Sequence, residues 1–414
     1  MACVYLIHLM YIAPMPRPFS RSAPPAAHFP VGGPVPGADL IGREAYLRGL
    51  VTRLQDGSHL VVSGPRRIGK TSVVLEALRR LGRRGSLTAY VDCMGATDLH
   101  GFGERLADAV LFHLTGTDRS VAAALAVLGG ERPPAKVRFE SLEPALALAR
   151  ETNAQRFFDQ ALDLPRLVAA RTGKRLVIAL DEFQSVGRLS PKVFDLMRSR
   201  FQAQRGVAYV FLGSEAGTLA ALFGEKGRAF YRFAVPHDLT GAGEHRFGIA
   251  PDHWADYLRT KFKAKQIQIA EAELDWIIEA TGGHPQDAMQ LSAALLYFMQ
   301  DQGLRVVTAD TVAVAYEQTL RELERPFALH WEELGTQKYL QAIAKRIAHG
   351  AVLYATSAQG AAVPRPEVLR ALETLRQKGL VVRLGRGRYE FVEPMFGEHV
   401  RRLDEGLPGI VTSR

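Results

Sequence analysis

The sequence predicts an α/β protein: a parallel sheet wrapped by helices, followed by a helical lid and a C-terminal winged helix-turn-helix. Three observations predict it. Short apolar runs at 59–63, 87–92, 175–180 and 208–212 alternate with segments of helical periodicity, as strands joined by crossover helices do. A glycine-bounded turn separates the first run from its helix, and two carboxylates end the third run. Past residue 250 the strand pattern stops and apolar residues recur at helical spacing.

The 414 residues suffice for two or three domains, each with its own core. With 47% hydrophobic and 23% charged residues the composition is that of a globular protein, and the net charge of +9 permits a polyanionic partner without naming one. Two cysteines, Cys3 and Cys93, exclude a disulfide framework and suit a reducing cytoplasm. The twelve histidines show no paired spacing of the kind zinc sites use.

Residues 4–12 are apolar but too few to span a bilayer, and they lack a basic flank. Residues 14–36 are rich in Pro, Ala and Gly and cannot build a core. A disordered leader is therefore expected over 1–37, with Met15 as a candidate start. The sheet domain is expected over 38–245, the lid over 246–326, the winged helix over 327–405 and a tail over 406–414.

The central stretch is Gly64-Pro65-Arg66-Arg67-Ile68-Gly69-Lys70-Thr71, followed by Ser72. It has the spacing G-x-x-x-x-G-K-T between a strand and a helix, the setting a phosphate-binding loop requires. Gly64 and Gly69 let successive N–H groups point into one concavity, and the helix start adds its positive end. Lys70 is expected to reach the β- and γ-phosphates and Thr71 to ligate Mg²⁺. The third strand runs straight into Asp181 and Glu182. Asp181 is the expected second Mg²⁺ ligand and Glu182 the group that orients the attacking water. The fourth run ends at Gly213-Ser214, where the Ser214 hydroxyl could sense the γ-phosphate or simply cap the next helix.

Helices are expected over 97–132, broken by Gly129-Gly130, and over 154–171, 251–263, 270–280, 285–302, 308–323 and 336–348. An amphipathic helix over 366–378 then leads into two strands, 380–384 and 388–392, joined by Gly385-Arg386-Gly387. That order describes a winged helix-turn-helix. Arg365, Arg370, Arg376, Lys378, Arg383, Arg386 and Arg388 make duplex DNA a candidate partner, while a solvated face interleaved with Glu367, Glu373 and Glu390, or a protein-docking winged helix, stays open.

Together, Leu40-Ile41-Gly42-Arg43-Glu44, the phosphate loop, Ala179-Leu180-Asp181-Glu182-Phe183-Gln184, Gly213-Ser214, Gly282-Gly283-His284-Pro285 and Tyr389-Glu390-Phe391-Val392-Glu393-Pro394 occur in order. The set resembles the archaeal-type P-loop ATPases of the AAA+/STAND group, related to the Orc/Cdc6 initiators. The resemblance implies ATP and Mg²⁺ as cofactors, ATP hydrolysis, and a nucleotide-controlled switch that can assemble with further copies. It further implies that Gly42 and Arg43 lie against adenine, that Ser214 is a sensor, and that Gly283 and Pro285 close over the nucleotide. Arg232 would be the arginine finger, with Arg228 the other candidate; the family's Tyr-Gly-Arg spacing is absent here.

Overall fold

The computed structural model describes residues 28–111, 153–213, 216–240, 245–337, 339–351, 353, 363–385 and 387–405. Five strands form one parallel sheet: β1 (Leu60–Ser63), β2 (Leu87–Asp92), β3 (Leu176–Asp181), β4 (Val207–Leu212) and β5 (Val235–Asp238), in the order β2-β3-β4-β1-β5. β3 and β4 are buried along their whole length, which explains their unbroken apolar runs.

Alternation along the inner strands sorts the core onto two faces. Ile178, Leu180, Tyr209 and Phe211 pack with α3 (Leu99–Leu111), α4 (Ala154–Thr172) and α5 (Val193–Gln202). Val177, Ala179, Ala208 and Val210 pack with α1 (Glu44–Gln55) and α2 (Lys70–Arg83). The ends of α4 show why it starts and stops. The Asn153 side chain accepts the Gln155 N–H at 2.9 Å, and Gly173 closes the helix at φ +65°.

β5 escapes the sequence pattern for a physical reason. It is an edge strand bonded only to β1, and it reads Val-Pro-His-Asp, mostly exposed. A proline is tolerated there but hides the strand signal.

After α6 (Ala216–Gly224) and β5 come α7 (Pro251–Ala264), α8 (Glu271–Thr281), α9 (Pro285–Asp301), α10 (Ala309–Gly335) and α11 (Leu340–Ala348). Then follow α12 (Arg365–Gln377), β6 (Val381–Gly385), β7 (Arg388–Phe391) and α13 (Pro394–Glu405), with β6 and β7 antiparallel. Two expectations change here. α10 continues past Pro326, across the expected boundary at 326/327, because Phe327 and Leu334 extend its buried stripe. One apolar core then joins α7–α13, from Trp254 to Val400. α13 was not expected; Met395, Phe396 and Val400 bury one side of it, and Arg402 meets Glu317 of α10 at 2.6 Å.

The leader also needs correction from residue 28 on. Phe29 is buried against Phe262 and Tyr257 of α7, and His28 Nε2 lies 2.7 Å from the Lys261 carbonyl. Burial of one aromatic ring outweighs the poor composition around it. Residues 1–27 and 406–414, and the helix expected after residue 111, lie outside the described residues.

Candidate functional site

The phosphate loop joins β1 to α2 at the C-terminal edge of the sheet. Its shape depends on two glycines. Gly64 sits at φ +143° with the Ile68 side chain against it, and Gly69 sits at φ +89° just before α2. A Cβ at Gly64 would come within 2.7 Å of Ile68 Cδ1, so only glycine fits without rearrangement. Lys70 is buried, and its amine donates to the carbonyls of Gly64 at 3.0 Å and Pro65 at 2.5 Å. Burial lowers its pKa to about 8, against the pull of Glu182 and Asp181.

α2 and β3 meet at Asp181. Its Oδ2 accepts the Thr71 hydroxyl at 2.7 Å and the Tyr90 hydroxyl at 2.8 Å, while Oδ1 accepts the Glu182 N–H at 2.9 Å. Burial, then the Asp181 charge, push the Tyr90 phenol far above its usual range, so it stays a donor. Glu182 leaves the strand in the left-handed region at φ +49°, and Gln184 donates to its Oε2 at 2.5 Å. The Gln184 side-chain amide oxygen lies close to where a Cβ on Gly213, at the tip of β4, would stand.

A hydroxyl, a carboxylate and a second carboxylate next in sequence are hard oxygen donors. They fit Mg²⁺, which takes one or two carboxylates together with substrate phosphates. Among the described residues there is no cluster of three or more His, Cys, Asp or Glu of the kind that would cage a metal without a substrate.

The turn before α9 touches the loop through a residue not singled out from the sequence. Gly283 and Pro285 flank His284, which is fully buried. His284 Nε2 lies 3.4 Å from the Arg66 carbonyl, and Nδ1 lies 3.1 Å from Asp287, whose other oxygen accepts the Met395 N–H at 3.3 Å. Beside it, Arg67 donates to Glu393 at 2.8 Å. Two consecutive loop residues are thus tied to the start of α13. The signal for His284 was its place inside a Gly-Gly-His-Pro helix break.

The remaining expected residues stand as follows. The Arg43 guanidinium is buried and bonds the carbonyls of Leu239 (2.9 Å), Gly248 (3.4 Å) and Ile68 (3.4 Å), so it clasps the chain. Burial lowers its pKa to about 10. Gly42, at φ +63°, lies against His253. The Ser72 hydroxyl accepts the Val35 N–H at 3.0 Å and faces the N-terminal segment, not the cradle. Arg232 is exposed, and Arg228 pairs at the surface with Glu225 at 3.3 Å, so neither is gathered with Lys70 and Asp181. Ser214 and Arg386 lie outside the described residues.

Residues 39–211 match the family described as the AAA ATPase domain. Over that stretch the chain is similar to AAA ATPase domains. Its fold is similar along most of the chain to the Walker-type ATPase PABY2304 of Pyrococcus abyssi, with a TM-score of 0.64 at 17% identity. That match covers 91% of this chain and 100% of the other. It is also similar to the Aeropyrum pernix ORC2 protein, solved as ADPNP–ADP complexes, with a TM-score of 0.50, 14% identity, and 94% and 98% coverage. At these identities the likeness is one of fold. No curated protein matches the chain in sequence. Among the described residues, no helix is long and apolar enough to cross a membrane.

Proposed function

We propose that the chain is a Mg²⁺-dependent ATPase, cytoplasmic and of the AAA+/STAND type, whose nucleotide state sets the placement of its C-terminal helix-and-ribbon domain. The observation that carries this reading is the 2.7 Å bond between Thr71 and Asp181, which brings the phosphate loop and the acidic strand tip onto one point. Lys70 and the loop N–H groups would hold the β- and γ-phosphates, and Thr71 with Asp181 would hold Mg²⁺. When bound, the metal would neutralise charge on the phosphate oxygens. Glu182 would orient a water and take its proton as the water oxygen bonds to γ-phosphorus and ADP leaves. Ser214 would report the γ-phosphate. Arg232, exposed, suits the nucleotide of a neighbouring copy.

Two routes support a switch. The loop reaches α13 through His284–Asp287–Met395 and through Arg67–Glu393. Separately, α6 follows the tip of β4, and Gln377 at the end of α12 packs against Gly217 of α6. A triphosphate that draws in the lid would have to change these contacts, and only such differential contacts shift a conformational equilibrium.

A second reading places duplex DNA on the exposed face of α12 and the ribbon, a winged helix in outline. Arg370 and Arg376 point outward there, but each pairs with a glutamate three residues earlier, at 2.9 Å. That pairing favours the ATPase reading over a DNA-binding role independent of nucleotide. One assay separates them. Steady ATP hydrolysis that stops when EDTA removes Mg²⁺ is the expected result, with any DNA binding changed by ATP. DNA binding that falls steeply with salt and ignores ATP, without hydrolysis, would favour the second reading.

A further inference from the structure

Tyr90 lies in β2 opposite Ala179, while Asp92 stands opposite Asp181. Residues two apart on a strand share a face, so Tyr90 projects from the same face as Ala179 and Asp181. The diagonal step from Tyr90 to Asp181 is too long for a short polar side chain but within reach of an aromatic one. Its ring packs against the core on the α2 side of the sheet, and its hydroxyl ends 2.8 Å from Asp181 Oδ2. The same oxygen accepts the Thr71 hydroxyl at 2.7 Å, and Oδ1 accepts the Glu182 N–H at 2.9 Å. Three donors from three elements therefore fix the plane of this carboxylate: α2, the turn after β3, and β2. Only the Tyr90 donor comes from outside the loop and acidic strand tip that define the nucleotide site.

We infer that Tyr90 is a positioning residue for Mg²⁺ binding, holding the Asp181 carboxylate in the orientation that receives the metal. The inference rests on the ATPase reading above. Thr71 touches both the carboxylate and the place of the metal, so its hydroxyl alone cannot set the carboxylate plane independently of metal occupancy. The Tyr90 hydroxyl is anchored by a ring packed in the core, and it stays in place whether or not the metal is bound. Hydrogen bonds of this outer kind orient metal-ligating carboxylates, and their loss weakens metal binding about 10- to 100-fold.

Tyr90→Phe tests it, because the ring and its packing are kept and only the hydroxyl is lost. Binding of a ribose-labelled fluorescent ATP would be followed as Mg²⁺ is titrated into the full chain. The Mg²⁺ concentration giving half of the metal-dependent gain in affinity is expected to rise about tenfold in the variant. Affinity in EDTA should stay within about twofold of the native chain, since the loop itself is untouched. Turnover at saturating Mg²⁺ should return toward the native rate. An unchanged Mg²⁺ midpoint would overturn the inference while leaving the ATPase reading intact. An equal loss of affinity in EDTA would also overturn it, because the hydroxyl would then serve the fold. Nucleotide binding by the native chain that ignores Mg²⁺ would overturn both.

Discussion

Lys70→Ala is expected to reduce ATP affinity by about 100-fold or more, because each charge-assisted bond to the triphosphate contributes about 1.5–3 kcal/mol. The amine now rests on the Gly64 and Pro65 carbonyls, buried and at the centre of the loop. The same geometry gives a pH signature. Burial favours the neutral amine and lowers its pKa to about 8, whereas a triphosphate favours the charged form. ATP binding above pH 8 should therefore take up a proton, and affinity should fall as pH rises further, by at most about tenfold per unit. Calorimetry in buffers of different ionisation enthalpy reads the uptake directly. The alanine variant should show none. Native affinity in Lys70→Ala would show that the loop does not hold the phosphates.

Glu182→Gln has the second large effect, and on a different quantity. The side chain keeps its size and its neighbour Gln184, but it can no longer accept a proton from water. A positioned general base contributes about 10²–10⁴-fold, so kcat should fall by that order while ATP affinity stays close to native. Single-turnover hydrolysis beside equilibrium binding measures the two separately. A variant that turns over at the native rate would place the base elsewhere. The contrast with Lys70→Ala, which loses binding, is what distinguishes the two roles.

The residues of the site differ in how far the chain alone betrays them. Lys70, Thr71 and Asp181 are legible because their roles depend on local spacing: a loop between strand and helix, and a carboxylate ending a buried strand. Tyr90 is not, since its role depends on the register of β2 against β3, and no local pattern encodes pairing partners. His284 is half legible: its helix break shows, its contact with Arg66 does not. Arg43 reads as a ligand contact in a family pattern, yet a buried guanidinium must satisfy its donors, and three carbonyls do so here.

The fold divides the same way. Strands β1 to β4 announce themselves as apolar runs, unbroken in the doubly flanked β3 and β4. β5 is hidden by Pro236 and its exposure, and the interior Pro326 masks the true length of α10. The packing of Phe29 onto α7 follows from a single aromatic side chain in a stretch whose average composition argues the other way.

The account stands on the cradle and the acidic strand tip sharing one metal–triphosphate group, and electron–nuclear double resonance of Mn²⁺ added with ATP tests it most directly. The native chain should bind Mn²⁺ with phosphorus couplings from the nucleotide, and both Lys70→Ala and Asp181→Asn should lose that signal. Phosphorus-coupled Mn²⁺ bound as tightly to Asp181→Asn as to the native chain would contradict it.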